Sequence, residues 1–278
     1  LAARRLLRWA TEPAAWPAPL VESDPRRCPH LIYERDLAIA RSDDAAEPVF
    51  EEGKRHNLAL AAPAFDGLLV APDRPLSFWR ALGRVTAARG FRAGMELSGG
   101  CIVPALGGGL CLLSNALFAL AVQLGWTVHE RHGHTLSAVP PGPGELFGLD
   151  ATVFTPYVDF KFKNDQPTWL LIRTELDKKN AILTFYFYGT KPNREVKLEG
   201  PRILSETPAK PPSYQADAKL QAGEVKQVDW AHPGATVVAA RIITEDGQTR
   251  REEFRSVYQP WGDIYLVSAS DPRVNRGN

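Results

Sequence analysis

The stretch that decides the fold is residues 105–135, whose sequence is ALGGGLCLLSNALFALAVQLGWTVHERHGHT. Three successive glycines at Gly107–Gly109 are unfavourable in a regular helix or strand, so we expect a loop there. The run from Leu110 to Leu124, followed by Gly125, predicts a helix. Because this helix is apolar on nearly all sides, it should be buried. A glycine loop therefore leads into the first turn of a buried helix, where Cys111 lies.

The position of Cys111 favours nucleophilic chemistry. The first N–H groups of a helix lack partners and the helix dipole is positive there, so both stabilise a thiolate. The same amides can hold an oxyanion that forms on an attacked carbonyl. The glycines Gly107, Gly108 and Gly109 would let a substrate approach closely. The alternative is a small apolar cysteine in a packed helix, or a disulfide with Cys101.

A base for the cysteine is expected from the strand predicted over Trp126–Arg131, which delivers His132 and His134. About 14 helical residues span ~20 Å, and six to eight strand residues return about that distance. Either histidine can therefore come back level with Cys111. The carboxylates downstream that could orient the imidazole are Asp150 and Asp159. Surface or strand-end histidines are the alternative interpretation.

The remaining chain predicts an α+β fold, in which the nucleophile-bearing helix packs on an antiparallel sheet. We expect a helical or irregular N-terminal segment at 1–50, a core domain at 51–192, a small β-rich extension at 193–267 and a tail at 268–278. Helices are predicted near Lys54–Ala62 and Phe78–Arg89. Strands are predicted at 151–158, 168–174, 181–188, 235–244 and 249–258, and the Pro- and Lys-rich residues 191–213 suggest a linker.

Composition excludes several classes of function. The 33 basic and 32 acidic side chains nearly cancel, which argues against a protein that coats nucleic acid. No apolar run approaches the length of a membrane span. Three cysteines without metal-ligand spacing give neither a disulfide framework nor a zinc site, and the His129, His132 and His134 cluster is a weak metal signal. We therefore expect no metal and no cofactor.

Three motifs resemble the VanW-like family: GGGLCLLSN at 107–115, ERHGH at 130–134 and YVDFKFKN at 157–164. The resemblance covers roughly residues 51–192. It implies a cysteine-dependent acyl transfer on peptidoglycan stem peptides, of the L,D-transpeptidase or carboxypeptidase type. Cys111 matches the family cysteine, His134 is the better-matched histidine ahead of His132, and Asp159 falls on the acidic position. Leu112 stands where the family usually has Gln.

Several neighbours are expected to bind the substrate or shape its site. Arg131 and Lys161 could grip a carboxylate of the peptide, although a charged strand face is the alternative. Ser114 and Asn115 could bond to the substrate or to the glycine loop. The backbone N–H of Leu112 remains available for an oxyanion despite the loss of Gln.

Two other functions stay open. A non-catalytic protein that binds cell-wall peptides or precursors could use the same loop to hold a carboxylate, and Leu112 favours this slightly. Cysteine chemistry on another small peptide is also possible. Residues 1–16 do not form a clear signal peptide, so a cell-envelope location requires an export signal upstream, and a complete chain would be cytoplasmic.

Overall fold

The computed structural model describes residues 20–21, 28, 30–39, 48–98, 101–135, 146–154 and 158–274. The α-helices in these residues are α1 (Pro48–Ala61), α2 (Phe78–Leu82) and α3 (Cys111–Gln123). The strands are β1 (Leu20–Val21), β2 (His30–Ala38), β3 (Leu68–Val70), β4 (Pro75–Ser77), β5 (Ala93–Ser98), β6 (Cys101–Leu106), β7 (Val128–Glu130), β8 (Lys161–Lys163), β9 (Leu170–Asp177), β10 (Ile182–Gly189), β11 (Arg194–Thr207), β12 (Ser213–Ala216), β13 (Val225–Asp229), β14 (Gly234–Glu245), β15 (Gln248–Tyr258) and β16 (Ile264–Val267). Helix and strand are thus mixed, and strand predominates.

A five-stranded antiparallel sheet forms one wall of the core. Its order is β1-β3-β9-β10-β2. Alternate residues of β10 point inwards, so that Leu183, Phe185 and Phe187 are fully buried. This period of two is the strand signal that the sequence carries. The strands predicted at 168–174 and 181–188 are confirmed as β9 and β10, which form a hairpin with Asp177 paired to Ile182.

Helix α3 lies within the same core. Buried residues run along it from Leu113 to Val122, and they join one apolar cluster with Phe160 and Phe162. The helix observed at Cys111–Gln123 agrees with the predicted one to within a residue at each end. None of the helices in the described part of the chain is long and apolar enough to cross a membrane.

Four predictions about secondary structure are wrong. Residues 30–38, expected in a helical or irregular segment, form the edge strand β2, since Tyr33 pairs with Phe187 there. The predicted linker at 191–213 contains the 14-residue strand β11, which pairs along β14. In the predicted strand at 151–158, the described residues 151–154 and 158 form a single bridge, Phe154 with Val158. The helix expected at Phe78–Arg89 stops at Leu82, because Gly83 follows with a φ of 78°. The first 19 residues of the segment expected to be helical or irregular at 1–50 lie outside the described residues.

The C-terminal residues build two further sheets, β11-β14-β15 and β12-β16-β13. The first of these packs directly on the core that holds α3, because Leu198 and Phe254 contact its apolar cluster. Phe254 meets Phe118 edge to face, with ring centroids 5.4 Å apart. The extension is therefore joined to α3 through apolar side chains as well as through the chain itself.

Arg241 on β14 adds hydrogen bonds between this sheet and the C-terminal end of α3. Its side chain is fully buried and donates to the carbonyls of Ala121 and Trp126, each at 2.6 Å. Glu252 on β15 pairs with the same guanidinium at 2.6 Å. The last carbonyls of a helix lack partners within the helix, and the dipole favours a cation there. One arginine therefore satisfies the end of α3 and joins it to β14 and β15.

We expect Arg241→Ala to lower the free energy of unfolding by about 3 kcal/mol, because it removes the buried guanidinium that donates to the Ala121 and Trp126 carbonyls and pairs with Glu252. Urea denaturation of the purified protein measures this. Arg273→Ala is the matched control, since Arg273 pairs with Asp271 at the exposed surface and its loss should change stability little. A loss below about 1 kcal/mol for Arg241→Ala would contradict the account.

Candidate active site

Cys111 opens α3 and its thiol is free. The residue is partly exposed. Its Sγ lies 3.3 Å from Oγ1 of Thr152 and 3.6 Å from the carbonyl oxygen of Val153. The ring of His134 is in hydrogen-bond contact with the same sulfur. The structure thus brings the cysteine and one of the two predicted histidines together.

Asp150 orients the His134 ring. Its Oδ2 accepts from Nδ1 of His134 at 2.5 Å and from the backbone N–H of His134 at 2.6 Å. Because Nδ1 is engaged with the carboxylate, Nε2 is the nitrogen left for the cysteine. The arrangement is a Cys–His–Asp triad, in which a carboxylate fixes the ring and stabilises its charged form.

The three groups shift one another's protonation. Burial raises the pKa of Cys111, but the His134 hydrogen bond and charge, with help from Thr152 and Val153, bring it below its usual range. Burial lowers the pKa of His134, yet its bonds to Asp150 and Cys111 raise it to about 10. Burial likewise raises the pKa of Asp150, and His134 and Arg131 lower it overall. Both shifts favour a thiolate beside an imidazolium.

Residues 150–153 reach this position because the first turn of α3 holds them. The buried hydroxyl of Ser114 donates to the carbonyl of Ala151 at 2.7 Å, and Oδ1 of Asn115 accepts from the Ala151 N–H at 2.6 Å. The N–H of Thr152 donates to the carbonyl of His132 at 2.8 Å. Ser114 and Asn115, expected to bind substrate or loop, instead fix the segment that carries Asp150 and Thr152.

The glycine loop packs against the protein's own atoms. Gly107 has a φ of 82°, and a Cβ on it would lie 2.7 Å from Val85. Gly109 has a φ of 99°, and a Cβ there would lie 2.6 Å from the side chain of Lys54. The carbonyl of Gly108 accepts from the buried amide of Asn57 at 3.1 Å. The positive φ angles and the close neighbours explain why at least two of these positions are glycine, with no need for contact with a substrate.

The amides at the start of α3 are partly occupied. The N–H of Leu112, expected to stay available for an oxyanion, donates to the carbonyl of Gly109 at 3.1 Å, and Leu113 donates to Leu110 at 3.0 Å. The N–H of Cys111 itself meets no acceptor among the residues that the structure describes. The side chain of Leu112 packs on the apolar core. Cys111 therefore supplies the amide that an oxyanion could use.

The structure places Asp159 and His132 apart from the roles expected of them. Asp159 is fully buried, accepts from the Ser77 hydroxyl at 2.7 Å and the Trp79 N–H at 3.2 Å, and so anchors the start of α2. The His132 side chain is half exposed, and its Nε2 lies 3.7 Å from Glu130. The carboxylate on the His134 ring belongs to Asp150. The sequence could not distinguish Asp150 from Asp159 as the partner of the ring, because both carboxylates follow His134 in the chain.

The two candidate cations for the substrate are engaged within the protein. Arg131 is 6% exposed and donates to the Asp150 carbonyl at 2.6 Å, the Gly148 carbonyl at 2.8 Å and the Ser256 hydroxyl at 2.7 Å. Lys161 lies 2.6 Å from Glu130. A buried arginine with these partners supports the loop around Asp150 rather than presenting a free charge.

Two residues of the site escaped the sequence analysis as site residues. Thr152 places a hydroxyl on the sulfur, and Tyr258 donates to Oδ1 of Asp150 at 2.7 Å. Neither residue belongs to any of the three motifs, and Tyr258 follows His134 by more than a hundred residues. No spacing rule could have connected them before the fold was known.

No group of three metal-ligating side chains occurs within the described ranges. A cleft of about 470 Å³ lies between β7 and β15, lined by Val128, His129, Glu252 and Arg255 among others. Cys111, His134 and Asp150 do not line it. The candidate site is therefore defined by the contacts of its side chains and not by this cleft.

His134→Gln should raise the pH at which Cys111 becomes reactive by at least about one unit, because the thiolate loses its neighbouring cation. The rate of iodoacetamide labelling at Cys111, followed by peptide mass spectrometry across pH 5–10, measures this. His132→Gln is the matched control from the same motif and should leave the profile in place. Equal shifts in both variants would contradict the assignment of His134.

Asp150→Asn should raise the same labelling midpoint by about one unit, because an amide no longer stabilises the charged His134 ring. Asp159→Asn should lower the melting temperature, since Asp159 anchors Ser77 and Trp79, and should leave the midpoint unchanged. A shift with Asp159→Asn and none with Asp150→Asn would return the orienting role to Asp159.

Residues 53–186 match the family described as VanW like protein. The chain is 32% identical over 155 residues to the Vancomycin B-type resistance protein VanW of Enterococcus faecalis (strain ATCC 700802 / V583), which covers 55% of this chain and 56% of that protein. It is also 32% identical over 137 residues to the uncharacterized protein YoaR of Bacillus subtilis (strain 168), covering 49% of this chain and 43% of that one. The chain thus spans about half the length of these relatives.

Among solved structures, the IgA1 protease G5 domain shares 17% identity and covers 30% of this chain and 100% of its own, with a TM-score of 0.17. That score is too low to relate the folds. The GGGLCLLSN and ERHGH motifs fall inside the residues that match the family. Through its residues 53–186, the chain is therefore similar to VanW-like proteins.

Proposed function

We propose that Cys111, His134 and Asp150 carry out acyl transfer on peptidoglycan stem peptides, as an L,D-transpeptidase or carboxypeptidase. The observation that carries the proposal is the contact of one imidazole with a free thiol on one side and a carboxylate on the other. A thiol held in this way has a lowered pKa, and its thiolate is the nucleophile that acyl transfer needs. A structural cysteine needs neither the histidine nor the carboxylate.

In the first step the Cys111 thiolate attacks a peptide carbonyl carbon, and a C–S bond forms as the carbonyl π electrons move to oxygen. The N–H of Cys111 and the Thr152 hydroxyl, which is 3.3 Å from the sulfur, are the donors nearest to that oxyanion. The tetrahedral intermediate collapses with loss of the C–N bond. His134 gives its proton from Nε2 to the leaving amine, and a thioester remains.

In the second step an acceptor amine attacks the thioester carbon. His134, now neutral, takes the proton of the amine, and the C–S bond breaks to release the Cys111 thiolate. The product is a new peptide bond, which is transpeptidation, or a free carboxylate when water replaces the amine. Asp150 keeps Nδ1 of His134 protonated in both steps, so that Nε2 alone exchanges the proton.

The substrate class is supported by the relatives. One protein that the chain resembles is named for vancomycin resistance, which is a function linked to the cell wall. A stem peptide offers carbonyls for a thiolate and amines for the second step. Leu112 replaces a polar neighbour that relatives usually have, which leaves the Cys111 amide and Thr152 to bind the oxyanion here.

Incubation of the protein with purified stem tetrapeptides and pentapeptides should give a covalent adduct on Cys111, because the thioester is an intermediate of the reaction. Intact-protein mass spectrometry detects the added mass, and peptide mapping locates it. Cys111→Ala should abolish the adduct and all turnover, whereas Cys28→Ala should retain both, since Cys28 is a buried thiol bonded to the Trp169 carbonyl.

Turnover that survives in Cys111→Ala would overturn the proposal. Binding of the peptides without any adduct or product, in wild type and Cys111→Ala alike, would favour a non-catalytic cell-wall binder instead. Calorimetry reports binding and mass spectrometry reports the thioester, so the two measurements together distinguish an enzyme from a binder.

A further inference from the structure

The C-terminal extension reaches the candidate active site through one side chain. Tyr258, the last residue of β15, is 5% exposed and donates its hydroxyl to Oδ1 of Asp150 at 2.7 Å. Residue 258 lies far outside the family's matched residues 53–186. We propose that Tyr258 is a positioning residue of the Cys111–His134–Asp150 triad, so that the β14–β15 hairpin is a part of the active centre. This inference rests on the proposed function.

The carboxylate of Asp150 divides its two oxygens between two tasks. Oδ2 faces His134 and accepts from its ring and its backbone N–H. Oδ1 faces away and accepts from Tyr258 at 2.7 Å and from Arg131 at 3.3 Å. The tyrosine bond is the shorter of the two on Oδ1. It therefore opposes rotation of the carboxylate towards Arg131, which would draw Oδ2 away from the imidazole.

The protein fixes Tyr258 before it can act on Asp150. Its ring stacks on Phe147, with centroids 4.9 Å apart and planes 19° from parallel. Its backbone pairs with Ala235 in β14, and the next residue, Gln259, donates to the carbonyl of Thr135 at 2.7 Å. Thr135 directly follows His134, so the extension holds the histidine segment and the carboxylate together.

A second pair of residues keeps the hairpin in register with the site. Ser256 accepts from Arg131 at 2.7 Å and donates to the carbonyl of Gly148 at 2.8 Å. A Cβ on Gly133 would lie 2.8 Å from the Ser256 hydroxyl, so the chain between the two histidines passes directly over β15. These contacts are polar and buried, which makes the placement of Tyr258 specific.

The charged and titratable groups that face Asp150 are His134, Arg131 and Tyr258, with Cys111 beyond the imidazole. Burial and the Asp150 charge raise the pKa of Tyr258 above its usual range. The hydroxyl therefore remains a donor throughout the pH range in which His134 and Cys111 titrate. Its loss leaves Arg131 as the remaining side-chain donor on Oδ1 among the described residues.

Tyr258→Phe tests the inference, because it removes one oxygen atom and keeps the ring that stacks on Phe147. The labelling midpoint of Cys111 should rise by about one pH unit, with labelling at pH 6 about tenfold slower than in wild type. Tyr265→Phe is the matched control, since Tyr265 stacks on Tyr214 in the separate β12-β16-β13 sheet and should leave the profile unchanged. Thermal melting establishes that both variants are folded.

A Tyr258→Phe profile that superimposes on that of wild type would overturn the inference and make Tyr258 a purely structural residue. Should this variant fail to fold, wild-type protein labelled with ¹³C at tyrosine Cζ provides the test. One of its seven tyrosine signals must shift with the same midpoint as Cys111 labelling. No such signal would likewise overturn the inference.

The outcome is separable from that of the proposed function, because alkylation needs no peptide. A shifted midpoint in Tyr258→Phe without any peptide adduct on Cys111 would retain the positioning role and remove the acyl transfer. An adduct on Cys111 with an unshifted midpoint would do the reverse.

Discussion

The carboxylate of Asp150 is the constraint on which the site depends. It is bonded by two separate parts of the chain: the ERHGH motif, through Arg131 and His134, and the C-terminal hairpin, through Tyr258. The charge of a buried carboxylate is costly unless it is paired and hydrogen-bonded, and each of these donors stabilises the charged form. The same bonds set the orientation of the His134 ring. The bonds that stabilise the charged Asp150 side chain therefore also assemble the candidate site.

Helix α3 provides the frame for this assembly. Its first turn carries Cys111, and the next two polar residues, Ser114 and Asn115, bond to both the carbonyl and the N–H of Ala151. This clamp brings the neighbouring residues of Ala151, which are Asp150 and Thr152, to the cysteine and the histidine. The polar residues of the glycine-loop motif thus act through the backbone that they hold. Ser114 and Asn115 can therefore belong to the motif of the candidate site without contacting a ligand themselves.

Much of the fold could be predicted because its signals are local. The apolar run at 110–124 and the alternation in β10 depend on residues adjacent in sequence, and both elements were found where the patterns lie. The strand β11 was missed because its charged residues and prolines resemble those of a linker, while its pairing with β14 is a tertiary property. In the site, Cys111 and His134 are joined by a helix and a return strand whose lengths can be estimated. The choice of Asp150 over Asp159, and the arrival of Tyr258, depend on long-range packing that no spacing encodes.

The far end of α3 gives the molecule a second property. Arg241 neutralises the terminal carbonyls of the helix from β14, while Tyr258 acts at the opposite end from β15, and these two strands form one hairpin. The hairpin therefore contacts the C-terminal end of α3 directly through Arg241, and it reaches the residues beside Cys111 at the other end through Asp150. Residues 53–186 therefore depend on the hairpin that follows them. Joined to a different C-terminal half, they would need an arginine and a tyrosine at the positions that Arg241 and Tyr258 occupy here. Evolution of the two halves is expected to be coupled at those positions.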